Sequence, residues 1–263
     1  MKKKKTPPEF LKKIPTEYSV ILRDWRNAFP MLTPYTQRRL YVRSEIFMYG
    51  LTFMKLRFLT DEYRVYFECI PLWDEKKLIN KFPIVEFPMP YEEKRYFDLK
   101  TYLHHCEFEP YKEFIVNKYG GVFKDDIKVS DFYNLVKDNI LGRHIWVNEY
   151  FEFTQFILVM AYYTNHEKQI EAANSKADKF CKKIGDQWFL NNLKMTGLQW
   201  KENFVKELES REFIEQARIN AQNPKIAKLR QVHFVDDYEE YMAEHTGWRA
   251  LRNTLAKIFR RLK

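Results

Sequence analysis

Residues 45–72, EIFMYGLTFMKLRFLTDEYRVYFECIPL, decide the fold of the N-terminal half. Apolar residues occupy every second position on both sides of the turn Thr60-Asp61-Glu62, namely Met54, Leu56 and Phe58 before it and Tyr63, Val65, Phe67 and Cys69 after it. A period of two is typical of a strand with one buried face. The stretch therefore predicts a β-hairpin. Residues 83–87, bracketed by Pro83 and Pro88, are expected to add an edge strand.

Helices are expected before this hairpin. The apolar spacing of residues 17–28 predicts a first helix, capped at Thr16 and ended before Pro30. Thr33-Pro34 has the composition of an N-cap followed by proline at the first helical position. It therefore predicts a second helix through Arg43.

From Asp98 onward the pattern is mostly helical. Short helices are predicted over 98–106 and 110–118, and Ser130 is expected to cap a helix that ends near Gly142. A helix pair is predicted around Asn165-His166, the second with an apolar stripe formed by Ile170, Ala173, Ala177, Phe180 and Ile184. The expected fold class is α+β and helix-rich, with a small antiparallel sheet in the N-terminal half and a mostly α-helical C-terminal half.

Four segments are predicted along the chain. Residues 1–9 form a disordered basic tail, and residues 10–142 form the α+β portion with the antiparallel sheet. Residues 143–245 form a helical portion. The sequence is compatible both with a separate core for this portion and with one core shared with residues 10–142. Residues 246–263 form a basic amphipathic helix.

Composition excludes several classes of protein. Glycine is scarce, at 7 residues, and only Gly120-Gly121 approaches a phosphate-binding loop, so a Rossmann or P-loop nucleotide fold is not expected. Three widely spaced cysteines favour reduced thiols over a disulfide framework. No apolar run approaches the ~20 residues that span a bilayer, and the N-terminus lacks the features of a signal peptide. The expected location is the cytoplasm.

Positive charge is concentrated at the two ends. The chain has a net charge of +9, of which residues 1–50 contribute +7 and residues 246–263 contribute +6. The 195 residues between them carry −4. This distribution predicts a nearly neutral body with two basic ends that generate local positive fields.

The C-terminal segment has the most regular pattern in the chain. A seam at 3-4 spacing is formed by Trp248, Leu251, Leu255, Ile258 and Leu262. Basic residues occupy the other positions, among them Arg249, Arg252, Lys257, Arg260 and Arg261. Such a helix binds nucleic acid, an anionic membrane surface or a partner's groove, or it packs on the protein's own core.

A second basic cluster lies near the N-terminus. Arg38, Arg39 and Arg43 alternate with Tyr35 and Tyr41, a composition that binds single-stranded nucleic acid by charge and stacking. The simpler interpretation is the solvated face of the predicted second helix.

A metal-dependent nuclease is the catalytic alternative. Glu86, followed by Asp98-Leu99-Lys100, resembles the core of the restriction-endonuclease-like family, in which acids hold Mg²⁺ and the lysine orients a water. The resemblance is confined to three residues, and Asp126-Ile127-Lys128 repeats the tripeptide. Asp98 is also expected to cap a helix, whereas the family pattern requires a strand.

Other chemistry has little support in the sequence. His104 and His105 are adjacent, and consecutive positions on a helix point about 100° apart, so they lack the i, i+4 spacing that presents two imidazoles to one metal ion. No GxSxG motif is present, and a Cys181–His144 pairing stays open. Neither a metal nor a cofactor is expected.

The expected function is therefore a non-catalytic binding or assembly protein whose basic ends engage a polyanionic or acidic partner. Nucleic acid is the first candidate, followed by an acidic protein surface and an anionic membrane surface. The nuclease is the alternative from a different class. A third alternative is a self-assembling structural component in which the seam from Trp248 to Leu262 pairs between subunits.

Overall fold

The computed structural model describes residues 17–55, 61–74, 85–86, 88–89, 92–96, 98–140 and 147–246. Its α-helices are α1 (Tyr18–Ala28), α2 (His104–Tyr119), α3 (Val129–Ile140), α4 (Val147–Thr164), α5 (Glu167–Ile184), α6 (Asp186–Leu193), α7 (Gly197–Glu209), α8 (Glu212–Ala221), α9 (Pro224–Ala227) and α10 (Tyr238–Thr246). Its strands are β1 (Thr33–Thr36), β2 (Arg39–Arg43), β3 (Phe47–Lys55), β4 (Glu62–Pro71), β5 (Val85–Glu86), β6 (Pro88–Met89), β7 (Glu92–Tyr96), β8 (Asp98–Lys100), β9 (Asp126–Lys128) and β10 (His233–Val235).

The predicted hairpin is the centre of a six-stranded sheet. Strands β3 and β4 pair antiparallel in continuous register from Phe47 opposite Pro71 to Lys55 opposite Tyr63. Strands β2 and β1 extend the sheet beyond β3, while β5 and β8 both pair with the free edge of β4. The hairpin prediction and an antiparallel sheet in the N-terminal half are confirmed, although most of the hairpin is buried on both faces and not on one. The face predicted for its first strand is wrong at Met54, which is 43% exposed, whereas Phe53 is buried; Leu56 and Phe58 lie outside the described residues.

The predicted second helix, Thr33 through Arg43, is wrong. These residues form strands β1 and β2, joined by a tight turn at Gln37 and Arg38. Strand β3 offers β2 a full row of backbone partners, and β2 buries Leu40, Tyr41 and Val42 in succession, as aromatic and β-branched residues favour. A Thr-Pro pair also suits an edge strand, because on its outer side an edge strand has no neighbour to which a backbone N–H group must donate.

The helix predicted over residues 98–106 is also wrong at its start. Asp98 begins strand β8, which pairs with β4, and one 3₁₀ turn then leads into α2 at His104. The helix predicted over residues 110–118 is the second half of α2, which passes through Pro110 without ending.

Aromatic rings join the sheet to the helices on one of its faces. Tyr49 of β3 lies 5.0 Å from Phe132 of α3 between ring centroids, and Phe47 lies 5.9 Å from Phe156 of α4. Trp25 of α1 is fully buried and meets Phe108 of α2 edge to face at 5.1 Å. Edge-to-face pairs of this kind contribute about 0.5–1.5 kcal/mol beyond the area that they bury.

Helices α4 to α8 make up most of the C-terminal half. Helices α4 and α5 form a hairpin that reverses at Asn165, which has a φ of +62°. The predicted stripe on α5 is confirmed, because Ala173, Ala177 and Phe180 are buried and the helix ends at Gly185 as expected. Residues of both halves contribute to one cluster of buried side chains, and Asn220 of α8 donates a 2.7 Å hydrogen bond to the Leu72 carbonyl beside the sheet.

The helix-rich α+β prediction is confirmed by this arrangement. Among the described residues, none of the helices combines the length and apolar character needed to cross a bilayer. The division of the chain near residue 142 stays a prediction.

Candidate functional site

Most of the predicted basic C-terminal helix lies outside the described residues. That part includes the seam Trp248, Leu251, Leu255, Ile258 and Leu262 and the basic positions Arg249, Arg252, Lys257, Arg260 and Arg261. Residues 1–16, which contain the lysine-rich tail, also lie outside them. The predictions for both ends therefore stay predictions.

The three arginines of the N-terminal cluster are separated by the strand geometry. Arg38 is exposed in the β1–β2 turn, with its guanidinium 5.8 Å from the centre of the Tyr18 ring. The Nε of Arg39 lies 3.4 Å from a carboxylate oxygen of Glu68. Arg43 lies half-buried at the opposite end of β2, and Tyr41 is fully buried. This region therefore does not form the exposed helical face that was expected, and Tyr41 offers no free ring for stacking.

Glu68 is the acceptor in a buried polar network that the sequence analysis missed. The side chain of Glu68 is 4% exposed and accepts hydrogen bonds from the hydroxyls of Tyr41 and Thr52. Gly50 lies between Tyr41 and Glu68 in the strand register, and it has no side chain to separate them. Burial, reinforced by the neighbouring Glu68 carboxylate, raises the pKa of Tyr41 far above its usual range. The phenol stays protonated, and the network links three strands.

The residues of the nuclease alternative lie at one edge of the sheet. Glu86 is paired with Tyr66 of β4, Asp98 with Arg64 and Lys100 with Glu62. The three partner positions on β4 are two residues apart and therefore share one face of the sheet. The backbone register assigns Glu86, Asp98 and Lys100 to that same face. Asp98 lies on a strand and not at a helix N-cap, which corrects the expectation that it caps a helix. The catalytic alternative stays a prediction.

His104 belongs to a buried hydrogen-bond chain. Its Nδ1 lies 2.8 Å from the Tyr63 hydroxyl and its Nε2 lies 3.1 Å from the Asp24 carboxylate. The Asp24 carboxylate can only accept, so His104 Nε2–H donates to it and Nδ1 of the neutral ring accepts from the Tyr63 hydroxyl. The Tyr63 oxygen in turn accepts from the indole N–H of Trp25. Burial lowers the pKa of His104, and the Asp24 carboxylate opposes that effect.

This chain of hydrogen bonds borders an open cleft of about 410 Å³ that His105 and Glu109 also line. His104 lines this cleft but has no exposed surface, and Tyr63 is fully buried, so the 25% exposed Asp24 is the member of the hydrogen-bond chain that meets solvent. Nowhere in the described ranges do three histidine, cysteine or acidic side chains gather in a way that could hold a metal ion. The geometry of His104 supports a structural role.

His144, the partner considered for Cys181, lies outside the described residues. The Cys181 thiol donates to the Gly197 carbonyl at 3.3 Å. Burial raises the pKa of Cys181 to about 11, which opposes formation of the thiolate that nucleophilic chemistry requires.

Helix α5 carries a row of lysines beside its buried face. Its members are Lys168, Lys176, Lys179 and Lys183, and Ala172 occupies the remaining position of the row. The spacings of 4, 4, 3 and 4 residues place these five positions on one side of the helix. All four lysines are exposed, and no acidic residue occupies a position within the row. We refer to these four residues as the lysine row.

Tyrosine rings lie beside two members of the lysine row. The ammonium of Lys176 donates a 2.6 Å hydrogen bond to the Tyr133 hydroxyl of α3. The ammonium of Lys183 lies 5.4 Å from the centre of the Tyr150 ring of α4, and that ring stacks on Phe180 at 5.6 Å. The two Lys–Tyr pairs are seven residues apart on α5, or about 10 Å along the helix axis.

The lysine row therefore combines exposed positive charges with aromatic rings packed against the core. This combination suits a polyanion whose charges are spaced along a chain and whose other groups are flat. The sequence analysis described only the apolar stripe of α5 and missed the lysine row. The 3-4 spacing of its lysines was a signal that could have identified it.

Comparisons of the whole chain with protein-family models, with curated proteins and with solved structures gave no match.

Proposed function

We propose that the chain is a non-catalytic nucleic-acid-binding protein that contacts phosphates through the lysine row and through its two basic ends. The observation that carries the proposal is the lysine row itself. It places four exposed ammonium groups on about 22 Å of one helix face, with Tyr133 and Tyr150 beside them. Lysines and aromatic rings combined in this way bind a nucleic-acid strand by charge and by stacking.

Several cations elsewhere on the body are neutralised locally. Lys128 pairs with Glu240 at 2.8 Å, Lys201 with Asp178 at 2.7 Å and Arg230 with Asp125 at 2.6 Å. Such pairs reduce the attraction that these cations exert on a distant polyanion. None of the four lysines of the row forms such an ion pair with another described residue, so in the proposal their charges add to the field of the basic ends.

Equilibrium binding of labelled single-stranded and duplex DNA from about 50 to about 200 mM salt tests the proposal. The chain is expected to bind with a steep negative log–log salt slope, because each phosphate contact releases a condensed counterion. Replacing Lys176, Lys179 and Lys183 with glutamine is expected to reduce the magnitude of the salt slope for single strands by about 2, because each lost phosphate contact removes about 0.7 from it.

The matched control replaces three exposed lysines outside the row, Lys206, Lys225 and Lys228, with glutamine. Both variants lose the same formal charge, so a larger effect from the row variant identifies a local site. A chain truncated after His245 measures the contribution of the basic C-terminal residues. Absence of binding at the lowest salt, or equal slopes for the row variant and the control, would refute the proposal.

The metal-dependent nuclease is a second candidate, because the strand register groups Glu86, Asp98 and Lys100 at one edge of the sheet. It predicts Mg²⁺-dependent DNA cleavage that Asp98→Asn abolishes while binding is retained. Activity of the Asp98→Asn variant equal to that of the unmodified chain, or no cleavage by either, would remove this candidate.

A further inference from the structure

A pocket of about 340 Å³ opens within the lysine row. Helices α3, α4, α5 and α10 enclose it, and its floor is formed by the buried side chains of Ile157, Met160 and Ala173. Lys168 and Lys176 lie at its rim, each four residues from Ala172, which also lines the pocket. The small side chain of Ala172 thus occupies the position of the lysine row where the pocket opens.

Three tyrosines, Tyr133, Tyr238 and Tyr241, also line the pocket. Tyr238 is buried and stacks on the ring of His166 at 4.5 Å between centroids, and His166 Nε2 lies 2.6 Å from the Asp236 carboxylate. Tyr133 is held by its hydrogen bond from Lys176. Two of the three rings are therefore positioned before any ligand arrives, which lowers the entropic cost of binding.

The one acidic side chain that lines the pocket is already bonded within the protein. The carboxylate of Asp237 accepts hydrogen bonds from the backbone N–H of Ser130, at 3.0 Å, and from the Ser130 hydroxyl. It stabilises the first turn of α3, where negative charge is favourable. Lys168 and Lys176 outnumber this carboxylate, so the lining residues carry a formal charge of +1, and the rest of the lining is mostly apolar and aromatic.

We infer that this pocket holds one unpaired nucleobase while Lys168 and Lys176 contact the phosphates on either side of it. The inference rests on the proposed function and adds the form of nucleic acid that is bound. The three tyrosines that line the pocket offer rings on which a flat heteroaromatic ring can stack, and stacking on such rings contributes about 1–3 kcal/mol per base. A base within a duplex cannot enter without leaving the stack, which costs a few kcal/mol. The chain therefore selects single strands over duplexes.

The test compares an oligothymidine strand with an abasic strand of equal length, which carries the same phosphates but no bases. The chain is expected to bind the oligothymidine about 5-fold to about 150-fold more tightly, the range that one stacked base gives. Ala172→Trp fills the mouth of the pocket and is expected to reduce this ratio towards one while the salt slope stays unchanged. Ser175→Trp, at an exposed position of α5 that does not line the pocket, is the matched control and is expected to retain the ratio.

Tyr241→Leu is the second variant and tests the inference if Ala172→Trp fails to fold. It removes one ring from the pocket without adding volume. It is expected to lower the ratio at least 5-fold. Salt-dependent binding of both strands with equal affinity would overturn the pocket inference and leave the proposed function standing. Failure of either strand to bind at low salt would instead overturn the proposed function.

Discussion

Removal of the Glu68 carboxylate is expected to destabilise the sheet by about 3 kcal/mol. In Glu68→Ala the buried hydroxyls of Tyr41 and Thr52 each lose a hydrogen bond to a charged acceptor, and such bonds contribute about 1.5–3 kcal/mol each. Part of that loss is recovered, because the two hydroxyl oxygens lie 2.9 Å apart and can bond to each other. The side chain of Arg39 is 27% exposed and can turn towards water, which limits the cost of its lost ion pair.

Urea unfolding followed by tryptophan fluorescence measures this change, with Glu209→Ala on the exposed surface of α7 as the control. The control is expected to change the free energy of unfolding by less than about 0.5 kcal/mol. A Tyr41→Phe and Glu68→Ala double-mutant cycle is expected to give a coupling energy of about 0.5–3 kcal/mol, because the two side chains are in direct contact. If Glu68→Ala costs less than about 1 kcal/mol, or if the two substitutions are additive, Glu68 is not the centre of the network.

Three further expectations follow from single side chains. Burial lowers the pKa of His104, so the unfolded chain binds a proton at this histidine more tightly than the folded chain does. Stability is therefore lost as pH falls below about 6.5, by up to about 1.4 kcal/mol per pH unit. His104→Gln should flatten this part of a stability–pH curve, and parallel curves for the two proteins would contradict the assignment. In the folded chain Cys106 is exposed, whereas burial raises the pKa of Cys69 and of Cys181, so a thiol reagent near pH 8 should modify Cys106 first; equal labelling rates, followed by mass spectrometry, would count against the fold. Gly50→Ala should destabilise the chain by more than about 2 kcal/mol, because φ of Gly50 is +154° and the new Cβ would clash with the Leu40 carbonyl oxygen. Thermal unfolding measures this change, and an unfolding temperature equal to that of the unmodified chain within error would refute the packing.

The parts of the fold that were predicted from sequence are those in which one periodicity extends over many residues. The alternation of Tyr63, Val65, Phe67 and Cys69 in β4 and the apolar stripe of α5 are long enough to specify the structure without knowledge of their neighbours. The segment from Thr33 to Arg43 is shorter, and its local Thr-Pro signal fits a helix start and an edge strand equally well. Pairing with β3 decides the outcome, and that pairing is a tertiary interaction.

The candidate site was predicted less well for a related reason. Tyr41, Thr52 and Glu68 are 11 and 16 residues apart in sequence, and only the strand register brings their oxygens together. The pocket depends on helices α3, α4, α5 and α10, which no local pattern places side by side. The lysine row was present in the sequence at helical spacing, but its exposure and the position of Tyr133 beside it required the fold.

Lysine acylation footprinting of the full chain tests the central proposal most directly. A small acylating reagent is applied with and without a single-stranded oligonucleotide, and modification of each lysine is quantified by mass spectrometry. The proposal predicts that the strand protects Lys176, Lys179 and Lys183 and leaves the exposed Lys206 and Lys225 unchanged. Equal modification of the lysine row with and without the strand, under conditions in which the strand is bound, would contradict it.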